Sequence, residues 1–387
     1  MGPLNGLKLV ELAGIGPTQL AGMLLADMGA EVIRVERPSD PDLGFPIPTE
    51  LNLMNRGRRS VVIDLKQPQG FAVVLRLIDR ADALFEGFRP GVMERLGIGP
   101  EFCMERNPRL VYGRMTGWGQ EGPLAGSVGH DPNYIALTGV LDAIGPRGGD
   151  PVLPLNLVAD YGGGALYLVT GLLAALLERQ RSGRGQVVDA AMIDGSASLM
   201  TLFYGLRAAG LWHHPRGSNL LDGGAPFSRP YATKDGKHIV VAAIERRFYR
   251  ALLEGLEIPE EERIPQTDID RWPELERQLE AIFRTRTRDE WCERLEGTEA
   301  CVSPVLSIDE TPEHPHHHER QTFIEVDGLR QPGPAPRFAR TPGAIRNPPP
   351  EPGADTEAVL AEHGFTEAEI RRLATDGVIG LGPIGSD

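Results

Sequence analysis

Only three cysteines occur in the 387 residues, Cys103, Cys292 and Cys301, and no two of them form a CxxC pair. Neither a disulfide framework nor a zinc site is indicated, and the pattern fits a reducing compartment. An excess of positive charge is also missing. The 40 Lys and Arg stand against 54 Asp and Glu, a formal net charge of −14, which argues against a general nucleic-acid binder. The most apolar stretch, Ala165 to Leu177, is about 13 residues long, short of the roughly 20 needed to cross a bilayer. The start, Met1-Gly2-Pro3-Leu4-Asn5-Gly6, lacks a basic region followed by an apolar run, so no signal peptide is expected. Gly-x-Ser-x-Gly and His-Glu-x-x-His are absent, which leaves serine hydrolase and zinc protease readings without support. The expectation is a cytoplasmic protein with no metal, no nucleic-acid partner and no membrane span.

What is present has the texture of a large folded chain, with 41% hydrophobic and 24% charged residues. The length suits two domains. Strand-like runs at Leu7–Leu12, Glu31–Glu36, Val61–Leu65, Ala83–Glu86, Leu110–Met115 and Gln186–Ala191 alternate with helical segments at Thr18–Met28, Gly70–Arg80 and Gly163–Arg181. Such alternation implies an α/β domain with a mostly parallel, Rossmann-like sheet. A further helix is expected from Gly195 to Ala209. From Tyr231 the texture changes to a hairpin with an Asp235-Gly236 turn, then helices at Phe248–Leu256, Trp272–Phe283 and Arg288–Leu295, a smaller α+β domain. Residues 1–195 form the large domain, 196–224 a linker, 225–315 the small domain and 316–335 a second linker, with 336–387 returning to the large domain. Arg330 to Ala354 is Pro-rich and reads as extended along a surface, and Phe365 to Ala374 as a last helix.

Several motifs invite chemistry. Gly14 and Gly16 after the first strand, with Glu36 ending the second, resemble a dinucleotide fingerprint, but Gln19 stands at the third glycine position and Pro17 intrudes, so a structural turn is the better reading. Arg37 suits a phosphate neighbour. Asn55-Arg56-Gly57-Arg58-Arg59-Ser60 is a compact basic loop in an acidic chain, and guanidinium groups clamp phosphates with paired hydrogen bonds. Arg89 and Arg95 follow the strand ending near Glu86, where an open α/β sheet binds ligands beyond its strand ends. Together these suggest an anionic ligand with several phosphates. His314-Pro315-His316-His317-His318 reads as a Pro-containing loop without the fixed partner set a metal needs, and His213-His214 as a surface loop.

His130 and Asp160 each stand where a loop turns into a helix, a place that favours negative charge. A base and a donor site for an oxyanion are what proton removal beside a carbonyl requires, and this pair supplies two bases, one for each face of a carbon. Gly162, Gly163 and Gly164 carry no side chains to cover the Asp160 carboxylate. Glu245, at the end of the hairpin's second strand, is placed to orient the His130 ring.

The chain resembles the class III CoA-transferase superfamily, and within it the α-methylacyl-CoA racemases. The likeness is carried by Leu4–Gly14, Gly87-Phe88-Arg89-Pro90-Gly91, Arg114–Pro123, Gly129-His130-Asp131, Asn156–Gly164, Gly183–Asp189 and Leu221–Pro226. It implies an interlinked homodimer of two-domain chains, with CoA on the large domain. It further implies His130 and Asp160 as catalytic residues, Glu245 as the acid paired with the histidine, and Asn156 beside the aspartate. Arg37, Arg59, Arg89 and Arg95 are implied to line the CoA cleft together with Gly129 and Asp131, Arg37 being the candidate for the 3′-phosphate. The implied activity is R/S interconversion of 2-methylacyl-CoA thioesters through an enolate-like species, with no cofactor beyond the CoA of the substrate. The alternative is a CoA-transferase using Asp160 as nucleophile. Phe227-Ser228 stands where related racemases carry tyrosines, which bears on the acyl pocket. The tail ends in Gly385-Ser386-Asp387, with no peroxisomal address.

Overall fold

The structure, a computed structural model, describes residues 2–39, 47–212 and 215–382; His213-His214 and Gly385–Asp387 lie outside them. Twelve strands occur among the described residues: β1 Lys8–Leu12, β2 Glu31–Glu36, β3 Arg59–Ile63, β4 Ala83–Glu86, β5 Val111–Thr116, β6 Val187–Ala191, β7 Ser228–Ala232, β8 His238–Ala242, β9 Val302–Val305, β10 Phe323–Val326, β11 Leu329–Pro332 and β12 Ile379–Gly380. Seven of them make one sheet in the order β12-β3-β2-β1-β4-β5-β6. All of its pairings are parallel except that of β12 with β3. Its inner strands are Val-, Ile- and Leu-rich because helices cover both faces; Val10, Leu12, Ile33, Val35, Val61, Ile63 and Leu84 lie in one core.

From β1 the chain builds outward through β2 and β3, then returns to add β4, β5 and β6 on the other side. Neighbouring loops therefore diverge at the carboxyl ends of β1 and β4. A crevice opens at such a switch point, and ligands of open α/β sheets bind there.

The chain clusters into two compact units. One comprises residues 1–138, 154–200 and 323–387; the other comprises 139–153 and 201–322. Residues 139–153, which the sequence reading kept in the large domain, cluster with the second unit. That unit holds the antiparallel sheet β7-β8-β9 and the helices Arg246–Gly255, Trp272–Phe283 and Arg288–Leu295. Phe227 sits in its core, with edge-on ring contacts to Tyr249 at 5.3 Å and Trp272 at 5.5 Å. It is a core residue of that unit.

Other expectations change. The helix expected over Gly195–Ala209 is two, Met192–Leu199 and Thr201–Ala208. His314–His318 is not a loop: Pro315–Arg320 is a short helix with His314 as its N-cap. The hairpin β10–β11 and the two-residue β12 were not foreseen, since β12 gains its identity only by pairing with β3. The apolar stretch also extends further than its composition suggested. A continuous helical segment runs Leu157–Ser182, 26 residues, within which an 18-residue stretch has mean hydropathy 1.4, enough by length and composition alone to cross a membrane. Its far end is pinned to the sheet side, where buried Arg179 binds Asp82 at 2.7 Å and the Arg109 carbonyl at 3.0 Å.

The basic loop before β3 serves the interior. Arg58 is fully buried; it pairs with Glu11 of β1 at 2.6 Å and donates to the carbonyls of Met54 and Gln19. Glu11 is equally buried and also pairs with Arg34 of β2. Arg56 binds Asp27 at 2.6 Å, and donates to Gln331 and the Pro332 carbonyl of β11, tying the C-terminal return to the first helix, Pro17–Asp27. A buried pair broken on one side leaves an uncompensated charge. Glu11→Ala should therefore lower unfolding free energy by about 3–5 kcal/mol, read from urea midpoints at constant slope; a loss within about 0.5 kcal/mol would mean that Arg34 and Arg58 find other partners.

Candidate active site

Asp160 sits in a wide helical turn, Leu157–Ala165, that feeds directly into the helix Leu166–Ser182. This π-type turn is rare and tends to occur at functional sites. Leu155, at φ 57°, holds a left-handed backbone just before it, a conformation costly for a branched side chain. Next comes Asn156, whose amide Nδ2 donates to Asp160 Oδ2 at 3.0 Å. Behind the turn, Gly163 and Gly164 are buried. A Cβ on Gly195, in the helix Met192–Leu199, would lie 1.9 Å from the Gly163 carbonyl oxygen, and one on Gly163 would lie 2.6 Å from the Ser196 nitrogen. The glycine run was expected to leave space for a ligand; at Gly163 it brings two backbones together instead, and at Gly164 it admits the Met192 and Pro17 side chains.

Asp131 closes the arrangement. Its Oδ2 accepts from the N–H of Ala159 at 2.7 Å and of Asp160 at 2.8 Å. Its side chain, expected to contact CoA, is 1% exposed and serves this internal purpose. Asp131 begins the helix Asp131–Leu137, and His130 is that helix's exposed N-cap. Asn133 Oδ1 accepts the His130 N–H at 3.0 Å. On the next turn Tyr134 packs edge-on against Trp118 at 4.8 Å and donates its hydroxyl to the Gly129 carbonyl. The structure thus joins Asp131, Asn156 and Asp160 by hydrogen bonds and places His130 beside them, next in the chain to Asp131. Burial pushes the Asp160 carboxyl above the ordinary range; the Asn156 hydrogen bond pulls it back, Asp131 adds to the push, and His130 opposes it. Burial also pushes the Tyr134 phenol up to about 12, with Asp160 adding to the rise and Arg89 opposing it.

This network meets the switch-point crevice. Gly16, at φ 60° between β1 and the first helix, is so close to Asp160 that a Cβ there would stand 3.0 Å from Oδ2. The Gly14–Pro17 segment therefore flanks a carboxylate instead of forming a nucleotide loop. Glu36 is likewise engaged, by Arg34 at 3.2 Å and by the Ser60 hydroxyl. Thr18 in the same first turn is buried, and its hydroxyl has no partner among the described residues. Sequence reading took Gly16 as part of a structural turn and assigned no role to Thr18 and Tyr134; the Gly-Ile-Gly-Pro run was the one available signal.

Of the arginines, Arg37 follows β2 and is exposed, its guanidinium 5.5 Å from the centre of the Phe88 ring beyond β4. Arg89 and Arg95 are exposed after β4. Arg59 departs from expectation. It starts β3, at the amino end of the strand, where Glu362 holds it at 2.6 Å and Glu31 at 3.0 Å. Those carboxylates raise its pKa, the Glu362 hydrogen bond most. It anchors the C-terminal helix Thr356–Glu362 instead of lining a cleft. Glu245 belongs to the second unit, exposed as N-cap of Arg246–Gly255; its pairing with His130 is not part of the first unit's network. Among the described residues, no group of three or more His, Cys, Asp and Glu is placed to hold a metal ion.

A family model described as CoA-transferase family III matches residues 4–356, and the chain belongs to that family. The alpha-methylacyl-CoA racemase of Mus musculus is 47% identical over 381 residues, 97% of each chain. That of Homo sapiens is 44% identical over 379 residues, again 97% of each. Among solved structures, a CAIB/BAIF family protein from Brucella suis matches with a TM-score of 0.82 at 26% identity, covering 94% of this chain and 99% of that one.

The carboxyl end of β4 carries a fully buried acid with a large shift. Glu86, at the end of β4, accepts the Phe88 N–H at 2.6 Å and lies 3.4 Å from Arg114 Nε. Burial pushes its carboxyl up to about 7 from 4.5, with the Phe88 N–H the first opposing cause. The folded state therefore favours the proton, so this contribution to stability is present below about pH 4.5 and is lost as pH rises through about 7. Between pH 4 and 8 the wild type should lose on the order of 3 kcal/mol relative to Glu86→Gln. Parallel stability–pH curves from denaturant titrations would mean that Glu86 binds its proton equally well folded and unfolded.

Proposed function

We propose that this protein interconverts the R and S epimers of 2-methylacyl-CoA thioesters. One observation carries the reading: Asp131, next in the chain to His130, accepts the Ala159 and Asp160 N–H groups and so holds the helix start that bears His130 against the turn that bears Asp160. Similarity to mammalian racemases over nearly the whole chain supports it. One group removes the α-proton, an enolate-like species forms, and the other returns a proton to the opposite face. A carboxyl pushed upward by burial is a better base than a solvated one. The N–H groups of His130, Ala159 and Asp160 are already committed to side chains. Among the described residues the N–H of Asp131 has no acceptor, which leaves it as donor for the thioester oxygen. Epimerisation by this route needs two bases and an oxyanion donor, and CoA enters as part of the substrate. Arg37, Arg89 and Arg95 bind its phosphates in this reading, with Arg37 assigned the 3′-phosphate; Arg59 is left out because carboxylates already hold it.

An obligate homodimer completes the proposal, with Glu245 steadying His130 across the assembly. Leu137, Leu155, Leu157, Leu166, Leu177 and Leu199 of the first unit are all exposed in the single chain. That much exposed leucine marks a partner surface. An obligate interface of more than about 2,000 Å² is expected, with no stable folded monomer on dilution.

Incubating one epimer of a 2-methylacyl-CoA in D₂O tests the activity. Epimerisation with α-deuterium uptake and no acceptor acid is expected, and His130→Ala and Asp160→Ala should each cut it at least about 10²-fold. Acyl exchange that requires an added carboxylate, insensitive to His130→Ala, would instead establish the transferase. For the dimer, sedimentation at nanomolar concentration should show no folded, active monomer; finding one removes the assembly.

A further inference from the structure

A buried carboxylate without a cation calls for explanation. Asp131 is 1% exposed, Oδ2 takes two backbone N–H groups, and Oδ1 is buried with no hydrogen-bond partner. No Lys or Arg among the described residues forms an ion pair with it. As a cap alone, an asparagine would accept the same two N–H groups without the cost of burying charge. The contact is also not local: it joins the helix start that presents His130 to the turn that carries Asp160. Each of those residues has a second tether, His130 to Asn133 and Asp160 to Asn156, but among the side-chain hydrogen bonds of the described residues only those of Asp131 span the two.

We propose that Asp131 is the positioning residue of this site, its carboxylate pinning the Asp160 turn to the His130 helix start and thereby setting the separation of the two proton-transfer groups. The inference rests on the racemase reading for its kinetic consequences. Its negative charge has a second effect. The titratable groups acting on or answering to Asp160 are Asp131, His130 and Tyr134, all from one helix and its cap. Gly16, the N-cap of the first helix, also lies against it, and Asp194 of the packed helix Met192–Leu199 acts on Asp189. Asp131 is thus the anion that favours the protonated form of Asp160, while His130 works against it.

Two variants separate the brace from the charge. Asp131→Asn keeps an acceptor for both N–H groups and removes the charge. It should retain the wild-type melting behaviour and CoA affinity, while the acid limb of its kcat/KM profile moves to lower pH. Asp131→Ala removes the brace. Its kcat should fall roughly 10²-fold, as for reacting groups misplaced by about 1 Å, with KM nearly unchanged. In the free protein, the Ala159 and Asp160 amides should exchange with solvent at least about tenfold faster in Asp131→Ala, matching a local opening cheaper by 1.4 kcal/mol or more, and near the wild-type rate in Asp131→Asn. Unchanged amide exchange in Asp131→Ala overturns the proposal, and so does an Asp131→Asn pH profile superimposable on wild type. A wild-type protein that does not epimerise 2-methylacyl-CoA counts against the racemase reading alone, since amide exchange still decides the brace.

Discussion

The position of Asp160 depends on a backbone-to-backbone contact. The wide turn Leu157–Ala165 lies so close to the helix Met192–Leu199 that no side chain fits between Gly163 and Gly195. Close packing of this kind leaves a chain few alternative positions, because interiors are as dense as organic crystals. The turn is closed on its other side by Asp131 and held within by Asn156. A carboxylate of raised pKa is thereby placed at a defined point without being sealed from solvent, since Asp160 itself is only half-buried.

A second constraint is electrostatic. Arg34, Arg56 and Arg58 are withdrawn into the interior by Glu11, Asp27 and Glu36. These pairs join β1, β2, the first helix, the loop before β3 and, through Gln331, the C-terminal return. The result is a set of buried charge pairs that ties these elements together. What remains exposed after β2 and β4 is a smaller positive set, Arg37, Arg89 and Arg95. An acidic chain can hold an anionic ligand in this way, because the local field is set by the cations left unpaired and not by net charge.

Several departures from low-energy local structure collect at one place: the left-handed Leu155, the π-type turn, the unpartnered hydroxyl of buried Thr18 and the unpartnered Oδ1 of Asp131. Each is unfavourable alone and persists only because the surrounding packing over-determines it. Their gathering around His130 and Asp160 is consistent with strain held where chemistry needs fixed geometry.

Local sequence determined the α/β alternation, since Val- and Ile-rich runs between amphipathic segments have few other solutions, and the β7–β8 hairpin, which rests on a local Asp-Gly turn. It also marked His130 and Asp160, because each stands at a helix start whose signals are local. Tertiary structure decided the rest. Three adjacent arginines look alike in sequence, yet Arg58 pairs with Glu11 in the core, Arg56 with Asp27 and Arg59 with the distant Glu362; partners remote in sequence settle which charges stay free. Gly16 became a neighbour of Asp160, Phe227 a core residue, and Ile379–Gly380 a strand only through packing against segments far along the chain. The link that Asp131 makes to the Asp160 turn has the same origin: a hydrogen bond from one turn's backbone to a side chain at another helix's start leaves no periodic trace in either.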